Sequence, residues 1–384
     1  MAFRSFAICK NYLSHVQPTL LSKSSAKQTF PSQIVYNALR KFSSDIDPSL
    51  KKKDFSVLSD GTSTTPFTAM KLLGNIVTCA KNAPDGAWAR ALFKSDIVLG
   101  TVNWFAGHKQ LVTSLDFCSD RLVSASLDGT CKVWDIATTN LLKTLDHGSI
   151  SVNCIQVQGY TLVSGTSDTT ASIWNLRTYT RDFVLSGHTD SIQCIAINDN
   201  LVATGSADNT CRIWTADCGN RKHVLKEHTG EISCLQLSEG TLVTGSLDKT
   251  CKSWDPETGT VLQTFQHDGA VLALEFEDNT LATVTDDRTC TIWNLNDGSA
   301  PITTLKGHTG KITCMRLQGD ILVTGSEDRT LRLWDIKAGT NKIIQQYFCA
   351  INRLVLRGNL VIVGLEYGSI VQEDLSKYRL EKSI

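Results

Sequence analysis

No run of 18 or more apolar residues occurs anywhere in the 384 residues, so no segment reads as a transmembrane helix. Net charge is absent too. Lys plus Arg number 38 and Asp plus Glu number 38, so no global field draws the chain to nucleic acid or an acidic membrane. Catalytic signatures are missing: there is no G-x-x-x-x-G-K-S/T loop to cradle phosphate and no G-x-S-x-G turn to present a nucleophile. No C-x-x-C pair stands among the 13 cysteines, whose odd number fits a reducing compartment better than a disulfide framework. Neither a zinc site nor any other cofactor is expected.

What is present is a repeat. Blocks open at His108, His147, His188, His228, His267 and His308, at intervals of 39 to 41 residues. Each runs through a short apolar stretch to a turn aspartate, at Asp128, Asp168, Asp208, Asp248, Asp287 and Asp328. Each then ends on a tryptophan: Trp134, Trp174, Trp214, Trp254, Trp293 and Trp334. Within a block, Ser191 to Ile197 alternates like a strand, Asn198-Asp199-Asn200 turns, and Leu201 to Ser206 follows. Such β-branched runs, split by Asn, Asp and Gly, predict hairpins rather than helices. Eight of the cysteines fall on two repeat positions, Cys154, Cys194, Cys234 and Cys314 on one and Cys131, Cys211, Cys251 and Cys290 on the other. Small thiols packed at equivalent core sites account for them. Six of the eight histidines belong to the repeat, while His15 and His223 have no catalytic partner in sequence. Asp286-Asp287 is a carboxylate pair, but Asp287 already has a repeat role, and no enzyme is expected.

A period near 40 with a G-H start and a W-D finish resembles the WD40 repeat, which builds four-stranded propeller blades. The resemblance covers residues 96–384 and is nearest in style to the propellers of F-box/WD-repeat proteins. It implies an all-β, seven-bladed WD40 β-propeller with a mostly disordered N-terminal extension. It also implies that the repeat histidines, turn aspartates and tryptophans named above form a hydrogen-bonded network with a Ser or Thr inside each blade. A seventh blade is expected over 349–375 in degenerate form, with Phe348 in place of the histidine, Tyr367 of the aspartate and Glu373 of the tryptophan. The strand at 98–105 is expected to close this last blade and remove the free sheet edge.

In the family, two repeat positions face outward at one end of the ring. Here the first carries Thr113, Asn153, Gln193, Ser233, Leu272, Thr313 and Asn352, and the second Leu127, Ser167, Ala207, Leu247, Asp286, Glu327 and Glu366. An acidic arc (Asp286, Glu327, Glu366) beside Leu127, Leu247 and Leu272, with Gln193 and Asn352, suits a protein or peptide partner that is basic with an apolar anchor. The function expected is that of a non-catalytic interaction scaffold, the propeller itself monomeric, with neither nucleic-acid binding nor membrane insertion. The alternative is a substrate adaptor of a cullin-type ubiquitin ligase. That reading is weakened by the absence of a recognisable F-box in residues 45–95 and of arginine at these fourteen positions, where phosphodegron readers of the family hold it.

Residues 1–44 have no Asp or Glu but carry Arg4, Lys10, Lys23, Lys27, Arg40 and Lys41 with eight serines. That is the profile of a mitochondrial transit peptide, with Arg40 placed ahead of a processing site near Ser43. Read as an address it sends the protein to mitochondria; read as a basic tail it leaves the protein in the cytoplasm or nucleus. Residues 45–95 are expected to be a linker with short helices at 67–81 and 88–93.

Overall fold

β-Branched residues favour extended backbone, and their alternation with small or polar residues gives each run one face for each neighbouring layer. The computed structural model describes residues 57–58, 67–73, 76–81 and 87–93 and, from 102 to 378, all but 120, 137, 239, 298, 299 and 367–369. The first strand is the short β1 (Val57–Leu58). Four-stranded antiparallel sheets then follow in chain order. Blade 1 is β2 (Phe67–Leu73), β3 (Ile76–Lys81), β4 (Ala87–Phe93) and β5 (Val102–His108). Blade 2 is β6 (Val112–Cys118), β7 (Arg121–Ser126), β8 (Thr130–Asp135) and β9 (Leu141–Asp146). Blade 3 comprises β10 (Val152–Gln158), β11 (Thr161–Thr166), β12 (Ala171–Asn175) and β13 (Thr180–Leu185). Blade 4 comprises β14 (Ile192–Ile197), β15 (Leu201–Ser206), β16 (Cys211–Thr215) and β17 (Arg221–Leu225). In blade 5 stand β18 (Ile232–Ser238), β19 (Thr241–Ser246), β20 (Thr250–Trp254) and β21 (Val261–Gln266). Blade 6 holds β22 (Val271–Glu277), β23 (Thr280–Thr285), β24 (Cys290–Asn294) and β25 (Thr303–Leu305). Blade 7 holds β26 (Ile312–Gln318), β27 (Ile321–Ser326), β28 (Thr330–Asp335) and β29 (Thr340–Gln346). Blade 8 is β30 (Ile351–Arg357), β31 (Leu360–Leu365) and β32 (Ile370–Asp374), with β1 as its outer strand.

The sheets form a closed ring. Each innermost strand packs on the next, β2 on β6 and so on through β26 on β30, and β30 returns to β2. The ring has eight sheets where the repeats predict seven. The extra one is blade 1, whose first three strands occupy 67–93, the segment expected to be linker and short helices. The strand expected to close the last blade is instead β5, the outer strand of blade 1, paired with β4 from Ala87↔His108 to Leu92↔Val102. Closure falls to β1, through Val57↔Val371 and Leu58↔Ile370.

Between blades the core is apolar and layered. Trp174, Trp214, Trp254, Trp293 and Trp334 each join the hydrophobic cluster of the preceding blade, filling the wedge between sheets. Burying a side chain of that size is worth about 3–5 kcal/mol. The second strands are almost wholly buried, while outer strands such as β9 and β13 are mostly exposed. The cysteines at the two repeat positions are buried free thiols, and burial drives the Cys314 thiol up to about 11.

Candidate functional site

Four blades contain the polar network in full. In blade 5, Trp254 Nε1 donates to Thr244 Oγ1 (2.8 Å), and the same hydroxyl meets His228 Nε2 at 2.8 Å. His228 Nδ1 lies 2.7 Å from Asp248 Oδ2. One polarity satisfies the whole chain: indole to hydroxyl, hydroxyl to Nε2, and Nδ1–H to carboxylate. Blades 2, 4 and 7 repeat it, with Nδ1 to carboxylate distances of 3.0 Å at His108–Asp128, 2.8 Å at His188–Asp208 and 2.7 Å at His308–Asp328. Burial opposes ionisation of these aspartates, but bonds from threonine, histidine and backbone N–H outweigh it and hold Asp208 down to about 2.

The network is incomplete in blades 3 and 6, where the sequence predicts it whole. His147 Nε2 still meets Ser164 Oγ at 2.8 Å, but its Nδ1 is buried without a well-formed hydrogen bond. His267 Nε2 is buried without a partner, and Thr283 Oγ1 donates to the Thr291 carbonyl. Neither histidine bonds its aspartate. Asp168 and Asp287 take threonine hydroxyls, from Thr166 and Thr170 and from Thr285 and Thr289. The last residue of the second strand separates the two sets. It is Ser126, Ser206, Ser246 or Ser326 where the network is complete, and Thr166 or Thr285 where it is not. Losing a carboxylate bonded to a buried imidazole leaves a donor unpaired. Asp248→Ala is therefore expected to lower stability by about 2–3 kcal/mol and Asp287→Ala by about 1 kcal/mol or less, as chemical denaturation would measure. Equal losses would mean that the histidine contact has no energetic weight.

Blade 8 keeps no part of the network but has a substitute. Tyr347, not Phe348, occupies the histidine position: it precedes Ile351 by the four residues that separate His308 from Ile312. Its N–H donates to the Arg329 carbonyl (2.8 Å), as those of His147 and His267 do to Gly129 and Lys249 (2.9 Å each). Tyr347 Oη donates to Glu373 Oε1 across 3.4 Å, so the residues replacing histidine and tryptophan are bonded to each other. Phe348 lies largely in solvent, and Tyr367 is outside the described residues.

The two sets of expected face residues behave differently. Much of the first set is turned onto the neighbouring blade. Thr113 Oγ1 donates to the Val152 carbonyl (2.8 Å), Asn153 Nδ2 to Ile192 (3.0 Å), Ser233 Oγ to Val271 (2.6 Å) and Thr313 Oγ1 to Ile351 (2.5 Å). These side chains rivet one inner strand to the next. Gln193 bonds Ser191 Oγ at 3.0 Å, and Leu272 and Asn352 are half-buried. A second row of rivets, not anticipated from sequence, uses Asp116, Gln156, Gln236 and Glu275, which accept the N–H groups of Val157, Ile197, Phe276 and Leu317. Their common repeat position was the available signal.

The second set shares one end of the ring. The N–H groups of Leu127, Ser167, Ala207, Leu247, Asp286, Glu327 and Glu366 all bond the carbonyl of the residue just before the inner strand of their own blade. Leu247, Asp286 and Glu327 are exposed, while Leu127 and Glu366 are half-buried. Asp286 Oδ1 is partly committed, accepting the Ala270 N–H at 2.9 Å. Lys311 lies within the field of Glu327 and Asp286, which raise its basicity while burial lowers it by more. Arg288 is tied to the Thr309 carbonyl at 3.0 Å.

The comparisons with known proteins agree with this architecture. The family model described as WD domain, G-beta repeat matches residues 99–135, 139–175, 180–215, 219–255, 259–294 and 299–335. Among curated proteins none matches the chain. A solved structure of the computationally designed Ika8 protein is similar with a TM-score of 0.73 and 28% identity, over 81% of this chain and 96% of that one. With six matched repeats spanning more than half its length, the chain belongs to the WD40 repeat family.

Proposed function

We propose that the protein is a non-catalytic scaffold that binds a protein or peptide partner at the ring end carrying Leu127, Leu247, Leu272, Asp286, Glu327 and Glu366, with Gln193 and Asn352 at its inner margin. WD40 domains generally mediate protein–protein interactions, and the family is typically non-enzymatic. The observation that carries the reading is the division of labour among the polar repeat residues. Most of these are spent on a blade's network or on rivets to the next blade, whereas at the second face position Leu247, Asp286 and Glu327 are exposed and Leu127 and Glu366 half-buried. Exposed Leu247 with Asp286 and Glu327 suits a basic segment bearing an apolar anchor. Lys311 between two of the carboxylates narrows the attraction to a partner that reaches past it.

The test is a triple variant, Asp286→Asn, Glu327→Lys and Glu366→Lys, the asparagine retaining the acceptor for Ala270. Recovery of bound partners from cell extract is expected to fall at least tenfold relative to the unaltered chain, with Tm unchanged. Undiminished recovery of every partner would remove the acidic arc from the binding surface. The transit-peptide reading of residues 1–44 lies outside the described residues and stands as part of the proposal. Its test is import accompanied by a loss of roughly 5 kDa, at about 110 Da per residue removed up to Ser43.

A further inference from the structure

Four blades place a basic residue at the same point of the third strand, two residues before the tryptophan: Lys132, Arg212, Lys252 and Arg332. In three the charge is met from the outer strand of the same blade. Lys132 Nζ donates to Thr144 Oγ1 (3.1 Å), Lys252 Nζ to Thr264 Oγ1 (3.2 Å) and Arg332 Nη1 to Asn341 Oδ1 (2.9 Å). Blade 4 departs from this at both acceptor positions. Opposite Arg212 stands Val224, where Lys132 faces Thr144 and Lys252 faces Thr264. Opposite Trp214 stands Arg221, where Trp334 faces Asn341.

Arg212 is thus left without an internal acceptor and beside a second cation. It is only 8% exposed, and its Nε is buried with no hydrogen-bond partner. The neighbouring carboxylate, Asp208, is already committed: Oδ2 to His188 and Thr189, Oδ1 to Thr210. Both guanidinium groups reach the space above Gly187, an exposed glycine with φ +145°. A Cβ there would collide with Arg212 Nη1 and stand 3.6 Å from Arg221 Nη1. Arg221 is exposed and has no ion pair among the described residues. Burial and the charge of Arg221 both disfavour the Arg212 cation, more than Asp208 supports it. Two converging guanidiniums, one poorly solvated, over a surface without a side chain form a fork for oxyanions.

We propose that Arg212 and Arg221 form an anion-binding site above Gly187 on blade 4, suited to a doubly charged phosphate group. The site lies across the ring from blade 8 and is independent of the acidic arc. Its ligand neutralises both cations and supplies the acceptor that Asn341, Thr144 and Thr264 supply elsewhere.

The experiment titrates the full chain with inorganic phosphate and, separately, with N-acetyl-phosphoserine amide, at fixed ionic strength set by sodium chloride. Tm and ligand-induced shifts are followed. A saturable response is expected, with Tm raised by about 2 °C at ten times Kd. Arg221→Asn, which copies blade 7, is expected to raise Kd at least tenfold while leaving the unliganded protein as stable or more so. Arg212→Gln should also abolish the response. Val224→Thr, which copies blades 2 and 5, should weaken binding several-fold. A response to phosphoserine equal to or above that to phosphate identifies a phosphorylated side chain as the ligand, and one confined to the inorganic ion identifies free phosphate; both support the site. No saturable response beyond chloride, or an unchanged Kd in Arg221→Asn, overturns it.

Discussion

A chain trimmed to residues 96–384, the span that the recognisable repeats occupy, is expected to fail to fold into a cooperative monomer. It would lose β1 to β4, leaving β5 with no sheet to edge. Strands β6 and β30 would each lose the inner strand they pack on, and β32 would lose its outer partner. A ring of stacked sheets has no capping units, so removing most of one blade exposes two apolar faces and a set of unpaired strand edges. The expected result is aggregation on expression, or a broad melt far below that of the full chain. Deletion of residues 2–43 is the companion measurement, because every described strand begins at Val57 or later. Its Tm is expected to match the full chain within about 2 °C, as for a targeting segment that is no part of the ring. A monomeric 96–384 fragment that melts with the full chain would restore the seven-sheet ring, with the 98–105 strand on the last blade.

Acid is expected to destabilise the ring from pH 6.5 downward, earlier than the titration of carboxylates would dictate. His147 and His267 are held down to about 4 by burial, Arg181 adding to the effect at His147. Their folded-state pKa values lie below the unfolded value near 6.5, so between these limits the unfolded chain binds more protons. The stability they lend is complete above pH 6.5 and lost as pH falls toward 4, at about 3 kcal/mol for each by pH 4. Burial pushes His188, His228 and His308 in the same direction. Asp208, held near 2, adds its loss only between about pH 4 and pH 2. His267→Phe is the informative variant. The ring stacks edge-on against Trp293 at 5.1 Å and its Nε2 is unpartnered, so phenylalanine keeps the contact and removes the titration. It should leave stability at pH 7.5 level or higher and exceed the unaltered protein by about 2 kcal/mol at pH 5. Denaturant midpoints across pH 4.5–7.5 decide it, and a flat profile above pH 5 would refute the buried-neutral assignment.

The fold class was legible wherever four positions recur together. Histidine, turn aspartate, hydroxyl and tryptophan mark six repeats, and the structure makes five of those tryptophans wedges between sheets. Blade 1 was not legible because it has none of these marks. By register, Cys79 takes the place of the hydroxyl residue and Leu92 that of tryptophan, and five residues separate Lys81 from Ala87 in sequence where three separate Ser126 from Thr130. A weaker signal was there: Gly74-Asn75 splits two apolar runs by the two residues a tight hairpin needs. At the second position the shared contact is a backbone one, joined at Asp286 by Oδ1 accepting the Ala270 N–H, and partner binding there stays the proposal tested above. The first position misled because short polar side chains at an inner strand can reach the next strand's carbonyls, which a single repeat does not reveal. Nor could the unpaired Arg212 be seen alone. Only the pairing of strands puts Val224 and Arg221 where other blades hold acceptors.

The pairing of β1 with β32 joins almost the first described residues to almost the last. On the ribosome, Val57 is made some 300 residues before its partner Val371. At about 5–20 residues per second that is a wait of roughly 15–60 s. Through that interval β2 has one neighbour instead of two, and the growing stack is an open arc with an uncovered face at each end. The nascent chain therefore passes through its most adhesive form just before β30 to β32 emerge, and those strands decide whether the arc shuts on itself or on another copy.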